Sequence, residues 1–319
     1  METETKLSPE SYRFAFSDTA NWLAHLKEKG FVVVSGLISE QDSNRITEEM
    51  KECLQKFSSN LKDDEKSWTV GKNYPFMLHG GMVQYVGHAK FQWECREKVA
   101  PIFAKIWECE VKDLATSFDG FCFMNGKRKY RSQDHLSFVH TDQGPHRDYL
   151  WSVQGLVNLQ DCRENDGGLV LIPGSHKAHQ EVFKKIGKAD LKEDWYKFSE
   201  EEKANDIFKN SVKICGKAGD FMMWDSRTLH CNTVPTSQNV RACVYVCQIP
   251  KKKVPEKSLK KRKAAWIAKR CSNHHPGDGF TMFPVVPRFA DQEIKTIVPE
   301  ISMQDEDLND VQKSLLYIE

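Results

Sequence analysis

The sequence predicts a mainly β protein with flanking helices, and three observations carry that expectation. From about residue 113 onward, short runs rich in Val, Phe, Tyr and Cys follow one another between turn residues. Ahead of that point the apolar residues recur at helical spacing. Strands separated by turns, with few helices between them, suggest a sandwich or barrel over alternating βα units. One domain over 1–319 is expected, with a helical N-terminal part over about 1–110, a β core over about 111–250, and a C-terminal helix and loops over 251–319.

Taken in order, Asp18 precedes TANWLAHLKEKG, where Trp22, Leu23 and Leu26 share a helical face and Gly30 supplies a stop. FVVVSGLI at 31–38 is β-branched and reads as a buried strand. SEQDSNRITEEMKECLQKF then opens on a Ser cap and continues as an amphipathic helix. The stretch 89–108 is helical but interrupted by Pro101, which is expected to start a new helix. The predicted strands follow in DLATSFDGFCFM, LSFVHTD, WSVQGLVNLQD, GGLVLIPGS, VKICG, DFMMWDS and RACVYVCQIP. Between them, 178–210 is charged and expected to be a helical insertion or lid.

Composition narrows the function classes. With 39% hydrophobic and 11% aromatic residues in 319, the chain can bury a substantial core, which excludes disorder throughout. A formal net charge of +1 gives no global attraction to nucleic acid or to anionic membranes. The ten cysteines include no CxxC pair, and several sit inside apolar runs, so they read as reduced thiols. METETKLSPESYRF has no basic start followed by an apolar stretch, and no segment approaches the roughly 18 apolar residues of a membrane span. An intracellular, cytoplasmic protein without a membrane span is expected.

Chemistry concentrates in HTDQGPHRDYLWSVQGL at 140–156, which holds two His-x-Asp triplets. Two histidines and one carboxylate on three corners of an octahedron bind ferrous iron and leave three positions open. Residues i and i+2 of a strand point to one side, so a His-x-Asp at a strand end can present both side chains to one ion. His140-Thr141-Asp142 follows the apolar LSFV and precedes the turn Gln143-Gly144-Pro145, whereas His146-Arg147-Asp148 runs on towards the next strand. The first triplet is therefore the expected metal site. The second histidine is found in GDFMMWDSRTLHCNTVPTSQNVRACVYV, where His230 ends an apolar run and Arg241 follows eleven residues later on the next predicted strand. A hairpin is expected to bring the two together. A planar guanidinium there suits the far carboxylate of a dicarboxylate such as 2-oxoglutarate.

In this order, HTD, NLQDCRENDGGLVLIPGSH, GDFMMWDSRTLH and Arg241 resemble the phytanoyl-CoA dioxygenase family of Fe(II)- and 2-oxoglutarate-dependent oxygenases. VKDLATSFDGFCF, RCSNHHP and PVVPR extend the likeness to roughly residues 80–290. The resemblance implies a double-stranded β-helix, a cupin-like jelly-roll of two antiparallel sheets with helices buttressing one face. It assigns Fe(II) to His140, Asp142 and His230, and the 2-oxoglutarate C5 carboxylate to Arg241. Two residues past the distal histidine, where the family often has a hydroxyl, Asn232 offers an amide to the same carboxylate. Related halogenases carry alanine in place of the aspartate, so the intact Asp142 implies hydroxylation or desaturation of a small organic substrate. Molecular oxygen is then consumed as 2-oxoglutarate becomes succinate and carbon dioxide. Lids are expected at 178–210 and around NYPFMLHGGM.

Other residues carry alternatives. His146 and Asp148 suit a second metal pair, a substrate contact or a loop salt bridge. Gln154 lines the cavity or is a satisfied core amide. Asp225, Ser226 and Arg227 read as turn residues or supports of the distal histidine. His274 and His275 belong to the substrate mouth or to a packed loop. Ten Lys or Arg between 251 and 270 make a solvated helix face docked by AAWIA, or a rim for nucleic acid. The rival functions are thus a nucleic-acid-modifying oxygenase of the same fold and a non-catalytic jelly-roll binding protein.

Overall fold

The computed structural model describes residues 7–57, 81–126, 136–284 and 294–319. Most of NYPFMLHGGM and of PVVPR lies outside the described residues. The N-terminal part runs β1 (Arg13–Ala15), α1 (Thr19–Lys29), β2 (Phe31–Ser35), α2 (Glu40–Phe57), β3 (Met82–Val83) and α3 (Lys90–Trp107). The β-rich part is β4 (Leu114–Thr116), β5 (Phe121–Met124), β6 (His140–Thr141), β7 (Val153–Asn158), β8 (Gly168–Leu171), α4 (Ser175–Lys185), β9 (Tyr196–Lys197), β10 (Val212–Lys213), β11 (Phe221–Asp225), β12 (His230–Thr233) and β13 (Arg241–Pro250). After it come α5 (Glu256–Ile267), α6 (Ile294–Ile301) and α7 (Asp310–Leu316).

Two sheets form the roll, a double-stranded β-helix. The larger has the order β1-β2-β11-β7-β13-β5-β3, with β4 pairing β13, and the smaller has the order β10-β8-β12-β6-β9. Every pairing is antiparallel except β1 with β2. Alternation along the strands of the large sheet supplies two apolar layers. Val32 and Val34, Val153 and Val157, Phe221 and Met223, and Val244 and Val246 face the cluster that includes α2 and α3. Phe31, Val33, Leu156, Met222, Trp224 and Tyr245 face the inside of the roll. Because both faces are covered, β2, β11 and β13 read as continuous apolar runs, not as alternating ones.

Gly30 ends α1 in the left-handed region at φ 78°, its N–H bonded to the Leu26 carbonyl at 2.9 Å. Pro101 does not divide the helix that contains it: α3 is continuous through it. Pro101 lies on the exposed face of α3, where its ring meets no packed neighbour. The charged stretch 178–210 is not one helix either. α4 stops at Lys185, Gly187 turns at φ 71°, and the polar residues that follow form only β9 and short 3-10 turns. Phe183, Phe198 and Phe208 anchor this region beneath the small sheet.

Candidate metal centre

β6 and β12 are neighbours in the small sheet, and their register places His230 directly opposite His140. Residues facing each other across an antiparallel ladder lie on the same face. The imidazoles accordingly approach to 4.3 Å between ring centroids. Asp142, two residues beyond His140, turns its carboxylate between them: Oδ1 is 3.8 Å from His140 Nε2 and Oδ2 is 3.6 Å from His230 Nε2. Ligand atoms of the three residues all lie within 4.8 Å of one another. Donors on an ion at about 2.1 Å would stand roughly 3 Å apart at adjacent corners, so a slight contraction suffices.

Each histidine is oriented by the same local device. His140 Nδ1 donates to the Phe138 carbonyl and His230 Nδ1 donates to the Thr228 carbonyl, both at 2.9 Å. That bond places the proton on Nδ1 and leaves the Nε2 lone pair facing the carboxylate. Burial and repulsion from His140 push His230 down to about 3, against the pull of Asp142 and the Thr228 carbonyl. Its imidazole is therefore neutral at neutral pH. Burial raises the Asp142 carboxyl, but attraction to His140, His230 and His274 and a hydrogen bond from Gln154 outweigh it, so Asp142 stays ionised. Two imidazole nitrogens and one carboxylate fit a ferrous ion.

Arg241 opens β13, buried, on the other sheet. The expected hairpin does not form: β12 and β13 belong to different sheets, and the chain crosses between them. The two meet face to face, where Arg241 Nη2 donates to Asn232 Oδ1 at 2.8 Å and Asn232 Nδ2 donates to Tyr245 Oη at 3.0 Å. Arg241 Nη1 is buried without a hydrogen-bond partner among the described residues. A buried guanidinium with an unused N–H is costly unless something accepts from it, and a carboxylate fits that demand.

Several residues join the site that the sequence left open. Gln154 is buried, takes a 2.9 Å bond from Trp224 Nε1 on its Oε1, and its amide helps to hold the Asp142 carboxyl down. It is thus a satisfied amide that orients the carboxylate. Tyr245 was missed, although its spacing of four from Arg241 on one strand puts both on the same face. His274 stands edge-on to Tyr245 at 4.9 Å, with Nδ1 3.4 Å from the buried Asp119 carboxylate, which Ser117 also bonds. Burial lowers His274, but Asp119 outweighs it and the net direction is up. His275 stacks on Trp151 at 3.7 Å and packs in the loop.

The second triplet is not at the metal site. His146 Nε2 lies 3.3 Å from Asp194, and Arg147 bonds Asp194 and Asp278. Arg227 pairs with Asp225 at 2.7 Å, and Ser226 donates to Gln143 Oε1. In the basic segment, Arg262 is buried and donates to the carbonyls of Thr116, Pro276, Leu316 and Tyr317. Lys251, Lys253 and Lys269 lie over Tyr317, Trp107 and Trp266. These cations are spent on packing, so the run does not present an uninterrupted basic rim. No helix among the described residues is long and apolar enough to cross a membrane.

Comparison with known proteins bears on this arrangement. A family model described as phytanoyl-CoA dioxygenase matches residues 26–243. An Aspergillus versicolor protein described as Ava biosynthesis cluster protein O is 29% identical over 256 residues, covering 76% of this chain and 82% of the relative. A Dictyostelium discoideum protein whose description names phytanoyl-CoA dioxygenase is 22% identical over 263 residues, 69% of this chain and 72% of the relative. The crystal structure of a hypothetical Escherichia coli protein superposes with a TM-score of 0.65 at 16% identity, covering 96% of this chain and 85% of that one, a likeness of fold.

Proposed function

Because the chain belongs to the phytanoyl-CoA dioxygenase family of 2-oxoglutarate-dependent dioxygenases, we propose that it hydroxylates or desaturates a small organic molecule, with Fe(II) on His140, Asp142 and His230 and 2-oxoglutarate anchored by Arg241 and Asn232. One observation carries this reading: two Nε2 atoms and one carboxylate converge, with both Nδ1 atoms already engaged by backbone carbonyls.

When bound, the iron and 2-oxoglutarate supply the oxidising power that activates molecular oxygen. The chain's own residues do the rest. His140 and His230 offer their Nε2 atoms, each ring oriented by its Nδ1 bond to a backbone carbonyl, and Asp142, beside Gln154, offers the single negative charge. Arg241 meets the far carboxylate of the cosubstrate with its unused Nη1, and Asn232 keeps the guanidinium in plane through Nη2. Trp224, 5.0 Å from His230, and the inward face of the large sheet exclude water from that end.

An exposed aromatic beside a ligand supports a small organic substrate: Trp195 is half exposed and lies beside His140. The Aspergillus relative's description, a biosynthesis cluster protein, agrees with that class of substrate. The test is anaerobic titration of the Fe(II) protein with 2-oxoglutarate, following the weak visible charge-transfer band of the chelate. The band is expected in the wild type and absent from Asp142→Ala; a wild type that binds Fe(II) but never develops it would overturn the reading.

A further inference from the structure

Resting on that metal-site reading, we propose that the second His-x-Asp triplet grips the segment carrying Trp195, and that Asp194, held by this grip, positions Trp195 as the outer wall of the metal site. The segment after α4 is polar and irregular up to Asp194, with apolar anchoring resuming at Tyr196 and Phe198, and between them it delivers an aromatic side chain to the ligand strand. Lys197 and Tyr196 pair with His140 and Thr141. The Trp195 ring lies 6.0 Å from the His140 ring and 5.9 Å from Phe138, with half of the residue's surface, 50%, exposed.

On the side ahead of Trp195, opposite the β9 pairing, the segment is tied down by Asp194. Arg147 donates to it through Nε at 3.0 Å and Nη2 at 3.4 Å, His146 Nε2 stands at 3.3 Å, and the Gly144 N–H reaches it at 3.5 Å. Arg147 is itself held from the far side. Its Nη1 bonds Asp278 at 2.9 Å and Tyr149 Oη at 3.3 Å, and its guanidinium lies 4.3 Å over the Trp151 ring. The backbones also touch: a Cβ on Gly144 would lie 2.2 Å from the Glu193 carbonyl oxygen, so only glycine allows this approach. An isolated surface ion pair holds little, but a forked, partly buried guanidinium shared between two carboxylates and stacked on an indole is a rigid joint.

A tryptophan kept only for packing would be buried more deeply. This one is presented, beside a metal ligand, on a stretch held by a loop that starts two residues past Asp142. His146 and Arg147 thus serve the site without touching the ion: they set where the wall stands. Asp194 is a positioning residue in this account, and Trp195 is the surface that the substrate's apolar part meets.

The test uses the full chain with Co(II) as the metal probe, since an open-shell ion quenches indole emission steeply with distance. Co(II) is expected to quench less in Trp195→Phe than in the wild type, and Asp194→Asn and Arg147→Gln are expected to lose the same share while still binding the ion. Quenching equal to the wild type in Trp195→Phe would remove Trp195 from the site; equal quenching in both Asp194→Asn and Arg147→Gln would remove the grip. A second measurement needs no metal: amide hydrogen exchange over 190–197 should quicken about tenfold in Asp194→Asn, equivalent to about 1.4 kcal/mol of local opening, and unchanged exchange overturns the proposal. If Asp142→Ala keeps the Co(II)-dependent quenching, the metal-site reading fails instead, independently of the grip.

Discussion

His140 and His230, far apart in the chain, are direct partners across the β6–β12 ladder, with their rings 4.3 Å apart between centroids. Together with Asp142 they form the group that could hold a metal ion. Replacing any of the three by alanine is expected to cost more metal affinity than the roughly 10–100-fold that loss of an outer partner costs. His146→Ala should bind Fe(II) or Co(II) as the wild type does, because its imidazole faces Asp194. A metal titration in which His146→Ala is as weak as His140→Ala would show that the wrong triplet has been assigned.

Gln154 links Trp224 to Asp142. In Gln154→Leu the carboxylate loses its aligning donor and the indole N–H loses its acceptor, so metal affinity should fall roughly 10–100-fold with the fold retained. Unaltered affinity in that variant, measured by the same titration, would reduce Gln154 to a packing residue.

Arg241→Lys keeps the charge but removes the fork. The expected loss in 2-oxoglutarate affinity is about 2 kcal/mol, roughly 30-fold, read from the midpoint of the charge-transfer titration. Asn232→Ala, which removes the acceptor on Nη2 and the donor to Tyr245 but leaves the guanidinium itself, should cost less. A larger effect for Asn232→Ala than for Arg241→Lys would reverse the roles proposed for the pair.

Acid should unfold the chain through its buried histidines. Burial pushes His179 down to about 4, against the help of its 2.7 Å bond to the Gln143 carbonyl. Its value in the unfolded chain is about 6.5. Below that pH the unfolded state takes up the proton first, so the stability contributed by neutral His179 is complete above about 6.5 and is lost as the pH falls towards 4. The maximum loss is on the order of 3 kcal/mol. Urea midpoints should fall over this window and fall less steeply in His179→Gln; parallel profiles for the two proteins would contradict the assignment.

Much of this was legible in the linear order of residues. The apolar runs mark β2, β7, β8, β11 and β13, and the i, i+2 rule puts His140 and Asp142 on one side of a strand. His230 and Arg241 were found by the same reading. Where it failed, the failures were local: Pro101 was given too much weight because the exposure of its face could not be known, and 178–210 was read as helix from charge alone.

Sequence by itself determined the main apolar strands, the His-x-Asp pair and the residue types near it, because alternation and helical spacing are properties of a few consecutive residues. Tertiary structure alone decided that His230 stands opposite His140, that Arg241 arrives from the other sheet, that Gln154 lies between Trp224 and Asp142, and that Asp194 meets His146 and Arg147. Register and contact between sheets are set by the summed burial of both faces and by loop closure over long separations, and no short window of residues contains either.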